Sequence, residues 1–419
     1  VLLWSAPAAR AEDPTAERVA WLRQHAVPLR TISPGDTEFR DLQGLGAAIA
    51  GARVVMLGEI SHGDGRSFEA KTRLVRYLHE QMGFDVLAWE SSLPDCTRAG
   101  QRLAAGAAWR EAFDSAVLSI WSGSQQCCAI MEYVAASQRT PRPIALTGFA
   151  FYIGAESGLF EEARSFLAAS AGAAGAKSQL EAVDALQKMV AAADTRPRPR
   201  SAVVPPEVRP LDELIQRLQS QAASGSPAAR NLRLLAVSLE NLKAYALELN
   251  RPPSRGGAQD TPIGMQEGRN MAFLAREHFP GRKIVVWGHN GHLLHNTAGI
   301  DDARFRINES VTMGQQIREA LGAEVYTLVL LAHHGTHGMW WDAPREIPAP
   351  PPGSLEDLLH RAGLEHAFVD LRGLPAGHWL RERLTASPIA FTPMRADWTG
   401  VADGILFIDE MSPSTALKN

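Results

Sequence analysis

Seven apolar runs rich in β-branched residues punctuate the chain, at Arg53–Leu57, Phe84–Trp89, Pro143–Thr147, Lys283–Trp287, Val325–Leu331, His366–Leu371 and Gly404–Ile408. Most are continuous rather than alternating, which predicts strands covered on both faces. Helical spacing fills the intervals. Ser67–Met82 sets Leu74, Val75, Leu78 and Met82 on one face and stops at Gly83, while Ser354-Leu355-Glu356-Asp357 reads as a capping box for a helix ending at Gly363. Strand and helix in alternation predict an α/β fold with a mostly parallel central sheet flanked by helices.

Between about Gly154 and Arg255 the strand-like runs cease. Leu159–Ser170, Ser178–Ala193, Leu211–Gln221 and Pro227–Asn250 are alanine-rich and helical in spacing, so a helical insertion is expected over the sheet or beside it. The expected division is an α/β core in two parts, 12–153 and 256–419, interrupted by the insertion at 154–255. Arg196–Pro210, Arg251–Gln259 and Ile347–Gly353 read as loops.

With 419 residues, 45% hydrophobic and 21% charged, the chain can bury a large core. A net charge of −4 gives no electrostatic footprint for nucleic acid, and no stretch approaches the length of a membrane span. The default partner is a small molecule. The opening segment is apolar and carries Ala9-Arg10-Ala11, which resembles a signal-peptidase site. Residues 1–11 are therefore expected to be the remnant of a signal peptide, the mature protein beginning near Glu12 in the periplasm or outside the cell. Cys96, Cys127 and Cys128 are too few for a disulfide scaffold or a four-thiolate zinc site. One bridge from Cys96 to Cys127 or Cys128, or free buried thiols, are the two readings.

Two polar strings follow apolar runs directly: Gly58-Glu59-Ile60-Ser61-His62-Gly63 and Gly288-His289-Asn290-Gly291-His292. Loops at the carboxyl ends of parallel strands meet at one edge of the sheet, where ligands bind. A carboxylate such as Glu59 can set the tautomer of His62 and leave its other nitrogen as a general base. Glu90 follows Phe84–Trp89 and arrives beside His62 if its strand neighbours the first; it reads as a second carboxylate, a metal ligand, or a partner to the cap at Ser91 and Ser92. His289 and His292 could face one cleft, donating to an oxyanion or ligating a cation.

Six of the thirteen histidines lie between 289 and 337, His295, His333, His334 and His337 included. Arg66, Lys71 and Arg73 supply cations on the first helix. Neither G-x-x-x-x-G-K-[ST] nor G-x-G-x-x-G occurs, which argues against nucleotide binding. Nor is there G-x-S-x-G or H-E-x-x-H, so Ser61 lacks a nucleophile elbow and the common zinc-peptidase motif is missing.

These strings, with Lys71-Thr72-Arg73-Leu74-Val75-Arg76-Tyr77-Leu78, Gly83-Phe84 leading to Glu90, Arg269-Asn270-Met271-Ala272, Gly353-Ser354-Leu355-Glu356 and Gly404 to Asp409, resemble the erythromycin esterase family. The resemblance spans about Val54 to Asp409. It implies an α/β core with a helical lid over a deep cleft. It also implies a hydrolase that cleaves an ester or macrolactone with water, without a covalent serine intermediate, with His62 as base and Glu59, Glu90, His289 and His292 around it. Lys71 is added here as a further oxyanion partner. No organic cofactor is implied; a divalent metal held by Glu59, His62, Glu90 and His289 is left open.

Macrolide-acting members carry Glu-Phe where this chain has Arg66-Ser67, and an arginine at Lys71. The wording around Ser61 to Gly65 is similar to the branch connected with succinoglycan biosynthesis. The expected substrate is thus a small ester, lactone or acylated saccharide. Two alternatives stand beside this reading: a metal-dependent hydrolase, including a peptidase, using the same cluster, and a non-catalytic periplasmic protein that binds or assembles polysaccharide.

Overall fold

The computed structural model describes residues 14–418 apart from 171, 173–174, 194, 196–198, 200, 223–225 and 253–260. The expected leader, and parts of the loops expected at Arg196–Pro210 and Arg251–Gln259, lie outside the described residues.

The strands are β1 (Val27–Pro28), β2 (Val54–Leu57), β3 (Phe84–Ser92), β4 (Ala145–Ala150), β5 (Lys283–Trp287), β6 (Val325–His337), β7 (Arg345–Glu346), β8 (His366–Asp370), β9 (Leu384–Ile389), β10 (Thr392–Ala396) and β11 (Gly404–Met411). In β2 all four side chains are fully buried, Val55 and Leu57 on one face of the sheet and Val54 and Met56 on the other. β3 divides Leu87 and Trp89 from Val86 and Ala88 in the same way, and β5 divides Val285 and Trp287 from Ile284 and Val286. A strand buried on both faces is apolar along most of its length, hence the continuous runs. Each such side chain contributes about 1.5–3 kcal/mol by its burial.

One sheet has the order β1-β8-β11-β6-β2-β5-β3-β4, with β7 against β6; β9 and β10 form a separate hairpin. From β11 to β4 every pairing is parallel, and β8 and β1 extend the other edge antiparallel. The carboxyl ends of β2, β5 and β3 therefore emerge side by side. Helices Gly65–Met82 and Cys128–Ser137 cover one face, and Thr261–Phe273 and Met313–Leu321 the other. Gly83 ends the first of these at φ 76°, a left-handed cap whose N–H donates to Leu78 O. Helices Gly158–Ala169, Ala176–Ala191, Val208–Gln221 and Pro227–Leu249 pack around a core of their own that includes Leu159, Leu186, Leu214 and Leu239. Among the described residues no helix is long and apolar enough to cross a membrane.

Several expectations need correction. β5 lies between β2 and β3, so the strand bearing Glu90 does not neighbour the first. That strand runs on to Ser92, which places Glu90 within it rather than after it. β6 runs past the apolar stretch Val325–Leu331 to His337, so His333, His334 and His337 are strand residues. The run at Pro143–Thr147 forms its strand two residues later, at Ala145–Ala150. The β9–β10 hairpin was not expected: its two-residue loop, Ala390-Phe391, holds both residues at positive φ, 46° and 53°, without the Asn or Gly that usually marks such a turn. All three cysteines are free and buried, so no bridge forms.

Candidate active site

The two strand-end loops meet at Asn290, which also ties them to β6 and β9. Asn290 is fully buried; its Nδ2 donates to Leu330 O (2.9 Å) and Pro388 O (2.7 Å), its Oδ1 accepts from Leu330 N–H, and its own N–H donates to Glu59 O. Gly58 makes this approach possible. A Cβ there would meet Asn290 Oδ1 at 1.8 Å.

Glu59, delivered by β2, is fully buried and saturated with donors. Its Oε1 accepts from His62 Nδ1 (2.8 Å) and Trp121 Nε1 (3.2 Å), and its Oε2 accepts from Lys71 Nζ (2.6 Å). Lys71 Nζ also donates to Gly288 O and lies 4.2 Å from the centre of the Trp287 ring. Burial works to protonate Glu59, but the Lys71 charge and the His62 hydrogen bond outweigh it, so its pKa lies below the usual value. Burial likewise lowers the Lys71 pKa, with Glu59 opposing. The pair is a sealed ion pair behind the histidine.

His62 leaves the loop with 28% of its side chain exposed and its ring edge-on to Trp121. Burial works against its positive charge, yet the hydrogen bond to Glu59 and the charge of Glu90 prevail, and its pKa is raised. Its free nitrogen, Nε2, stands 3.8 Å from Glu90 Oε1. The same oxygen is 3.2 Å from His292 Nε2, and His292 Nδ1 is 2.9 Å from Glu267 Oε2. Basic groups and carboxylates thus alternate along one line: Lys71, Glu59, His62, Glu90, His292, Glu267.

His289 lies on the cleft with His292, but its ring is already committed. Its backbone N–H donates to Glu90 Oε2 (2.6 Å), its ring Nε2–H to Ile60 O (2.9 Å), and its Nδ1 accepts from Gly291 N–H. Burial, then the nearby His62 and His292, push its pKa down to about 3. A neutral ring with both nitrogens engaged aligns the loop; it has no donor left for an oxyanion. Ile60 O also accepts from Ala390 N–H, so the hairpin turn abuts the same point.

Glu59, His62, Glu90, His289 and His292 are brought together. Lys71 joins them from behind Glu59, with no exposed surface, rather than facing the cleft. Arg66 turns away to Glu410 O and His366 Nε2, and Arg73 to Asp41 and Thr31 O. Ser61 serves its own loop, its N–H donating to Asp64 and its Oγ accepting from Gly63 N–H. His295 is half-buried beside Arg318 with its pKa pushed to about 4, first by burial. His333 and His334 gather with His360, and His337 packs on Phe391.

Sequence reading missed Trp121, Glu267 and Asn290 as members of the site. Glu267 carried a signal: it sits between Gly264 and Gly268 on Thr261–Phe273, and at both glycines a Cβ would collide with neighbouring atoms, so that helix packs too closely to leave an acid idle. Nothing local marks Trp121.

The set Glu59, His62, Glu90 and His289 does not fit a metal ion as placed. Both oxygens of Glu59 are taken, one by an ammonium, and both ring nitrogens of His289 are bonded within the protein. That leaves His62 Nε2 and Glu90 Oε1, the latter already 3.2 Å from His292 Nε2. Beside the cluster lies a cleft of about 340 Å³ whose wall includes His289, His292, Tyr152, Phe305, Ile307 and Ile389.

Residues 79–411 match the erythromycin esterase family, and the chain belongs to it. The match begins beyond His62, so the β2 loop joins this site through geometry. The chain is 26% identical over 422 residues to "Putative hydrolase YbfO" of Bacillus subtilis (strain 168), covering 95% of this chain and 92% of that one. Among solved structures, a Bacillus cereus protein superposes with TM-score 0.78 at 16% identity, over 97% of this chain and 100% of that chain. A succinoglycan biosynthesis protein gives 0.75 at 19% identity, over 96% and 98%. The open conformation of a mutant of the erythromycin esterase EreC gives 0.63 at 16% identity, over 93% and 98%. At these identities the likenesses establish a shared fold.

Proposed function

We propose that this protein hydrolyses a carboxylic ester or lactone by general-base activation of water at His62. Family membership and the hydrolase relative support the reaction class. The observation that carries the mechanism is the aim of His62: Nδ1 is committed to an ionised Glu59, which leaves Nε2 as the acceptor 3.8 Å from Glu90 Oε1. That separation is too long for a direct hydrogen bond and suits a water held by both groups.

Nε2 takes the proton as the water oxygen bonds to the ester carbonyl carbon, and the carbonyl oxygen becomes an oxyanion. Glu59 stabilises the imidazolium without leaving the protein's own hydrogen bonds, as the buried aspartate does in serine-protease triads. His292 has both ring nitrogens against carboxylates, Nε2 3.2 Å from Glu90 Oε1 and Nδ1 2.9 Å from Glu267 Oε2, and it reaches the oxyanion by exchanging its Nε2–H contact with Glu90 for the developing charge. The intermediate collapses, the alkoxide leaves with the proton from His62, and acid and alcohol are released. Lys71 holds Glu59 ionised rather than touching substrate. Arg66 and Lys71, the departures from the macrolide pattern, are engaged away from the water, Arg66 with Glu410 O and His366 and Lys71 with Glu59.

The test is a panel of esters, macrolactones and acylated saccharides followed by mass spectrometry. Wild type should convert one class with the mass gain of one water. His62→Ala should fold, since the side chain is partly exposed, and should lose about 10²- to 10⁴-fold in kcat. Wild-type turnover by a folded His62→Ala protein would refute the assignment.

A further inference from the structure

Away from the catalytic line, β6, β11 and the helix Leu355–Arg361 bring three imidazoles and a carboxylate together. These are His333, His334, His360 and Asp409, and one donor atom from each lies within 4.8 Å of all the others. His333 Nδ1 and His334 Nδ1 are 3.4 Å apart. His334 Nδ1 is 3.8 Å from Asp409 Oδ1, and His360 Nδ1 is 2.8 Å from the same oxygen. The rings of His333 and His360 stack at 3.8 Å and almost parallel, so their lone pairs lie in separate planes and the exposed His360 ring has to turn for both nitrogens to meet one ion.

The placement follows from the fold. Parallel pairing of Ile408 with Ala332 and Glu410 with His334 sets Asp409 level with His333 on the next strand. Ser354 caps the helix that brings His360 over them, its side chain accepting from Asp357 N–H. Three separate segments, each with its own hydrogen bonds, therefore bring the four side chains to one place, and the exposed rings of His334 and His360 are free to turn onto an ion.

Four donors around a tetrahedral ion with bonds of about 2.0–2.1 Å stand about 3.4 Å from one another. The separations of 3.4 and 3.8 Å match that spacing, and the 2.8 Å contact is a hydrogen bond that an ion would replace. Three neutral imidazoles and one carboxylate form the donor set of a borderline cation such as Zn²⁺; Mg²⁺ and Ca²⁺ prefer all-oxygen shells. His334 and His360 are exposed, which leaves an approach from solvent.

We propose that His333, His334, His360 and Asp409 form a binding site for a divalent transition-metal ion, with Zn²⁺ as the probe. The ion ties the ends of β6 and β11 to the helix Leu355–Arg361. None of its ligands belongs to the line from Lys71 to Glu267, so the site stands or falls independently of the hydrolytic reading. Because an ion bound to the folded state alone stabilises it by mass action, Zn²⁺ should raise the melting temperature.

The experiment uses the full chain without an affinity tag. Zn²⁺ is titrated against a chromophoric chelator, and Co²⁺ is substituted to read the visible absorption of a four-coordinate nitrogen and oxygen site. One ion per chain is expected. His333→Ala with His360→Ala, and separately Asp409→Asn, should weaken binding by about tenfold or more, since even indirect support of a metal is worth that much. His62→Ala with His292→Ala should bind as wild type. No saturable binding, binding unchanged by both cluster variants, or binding lost in the His62 and His292 variant would each overturn the proposal. Circular dichroism checks that the variants fold, and the Co²⁺ spectrum of the wild-type protein tests the ligand set without any substitution.

Discussion

Replacing Lys71 by Met and Glu59 by Gln, singly and together, tests whether the buried pair exists to keep His62 oriented. Both side chains are fully buried, with 2.6 Å between Nζ and Oε2. Lys71→Met leaves a buried carboxylate without its counter-charge, a change that typically costs about 3–5 kcal/mol. The lost bond to Gly288 O adds about 1 kcal/mol. Glu59→Gln leaves the ammonium stranded at a similar cost, so additive effects would reach roughly 7–11 kcal/mol. That is most of the stability of an ordinary domain. The double variant strands no charge and should lie within about 2 kcal/mol of wild type, giving a coupling of at least about 5 kcal/mol.

Urea unfolding followed by tryptophan fluorescence reads this directly, because Trp121 and Trp287 touch the pair. Activity should not follow stability. Without an ionised Glu59 the His62 tautomer and imidazolium lose their support, so all three variants should remain about 10²- to 10⁴-fold below wild type. A double variant that regains activity along with stability would refute the role given to Glu59. Additive destabilisation would refute the ion pair.

Two further outcomes follow from the same geometry. Only the neutral form of His62 accepts a proton, and its pKa is raised, so the acid limb of kcat/KM should have its midpoint above the ordinary histidine value of 6.5. Glu59→Gln should move that midpoint down, and a limb unmoved by the substitution would contradict the assignment. Gly58→Ala forces a methyl into Asn290 Oδ1 and should cost about 1–3 kcal/mol or displace the loop. A thermal melt and kcat/KM both equal to wild type would show that the two loops do not meet as described.

The parallel core was readable in one dimension because of its burial. A strand covered on both faces is apolar along most of its length, so β2, the middle of β3 and β5 announce themselves as apolar runs, and the polar ends of β2 and β5 mark the loops that carry Glu59, His62, His289 and His292. Helix ends were legible for a similar local reason, since Gly83 and Gly363 supply left-handed caps at φ 76° and 74°. The hairpin at Ala390-Phe391 was not legible. Its turn is held against Ile60 O by tertiary contact and not by turn residues of its own.

Residue types and spacing determined which side chains were available for chemistry; only the tertiary structure decided how each is used. The insertion of β5 between β2 and β3 comes from strand pairing across some two hundred residues, which no local pattern encodes. That order sets Glu90 between two imidazoles. His289 and His292 look equivalent in sequence, yet burial engages both nitrogens of the first and leaves the second between two carboxylates. Lys71 was legible as a cation near the site, and packing alone placed it behind Glu59, where its charge acts through another residue. The physical reason is the same throughout: patterning registers whether a position is buried, whereas the satisfaction of buried donors and acceptors depends on partners brought from elsewhere in the chain.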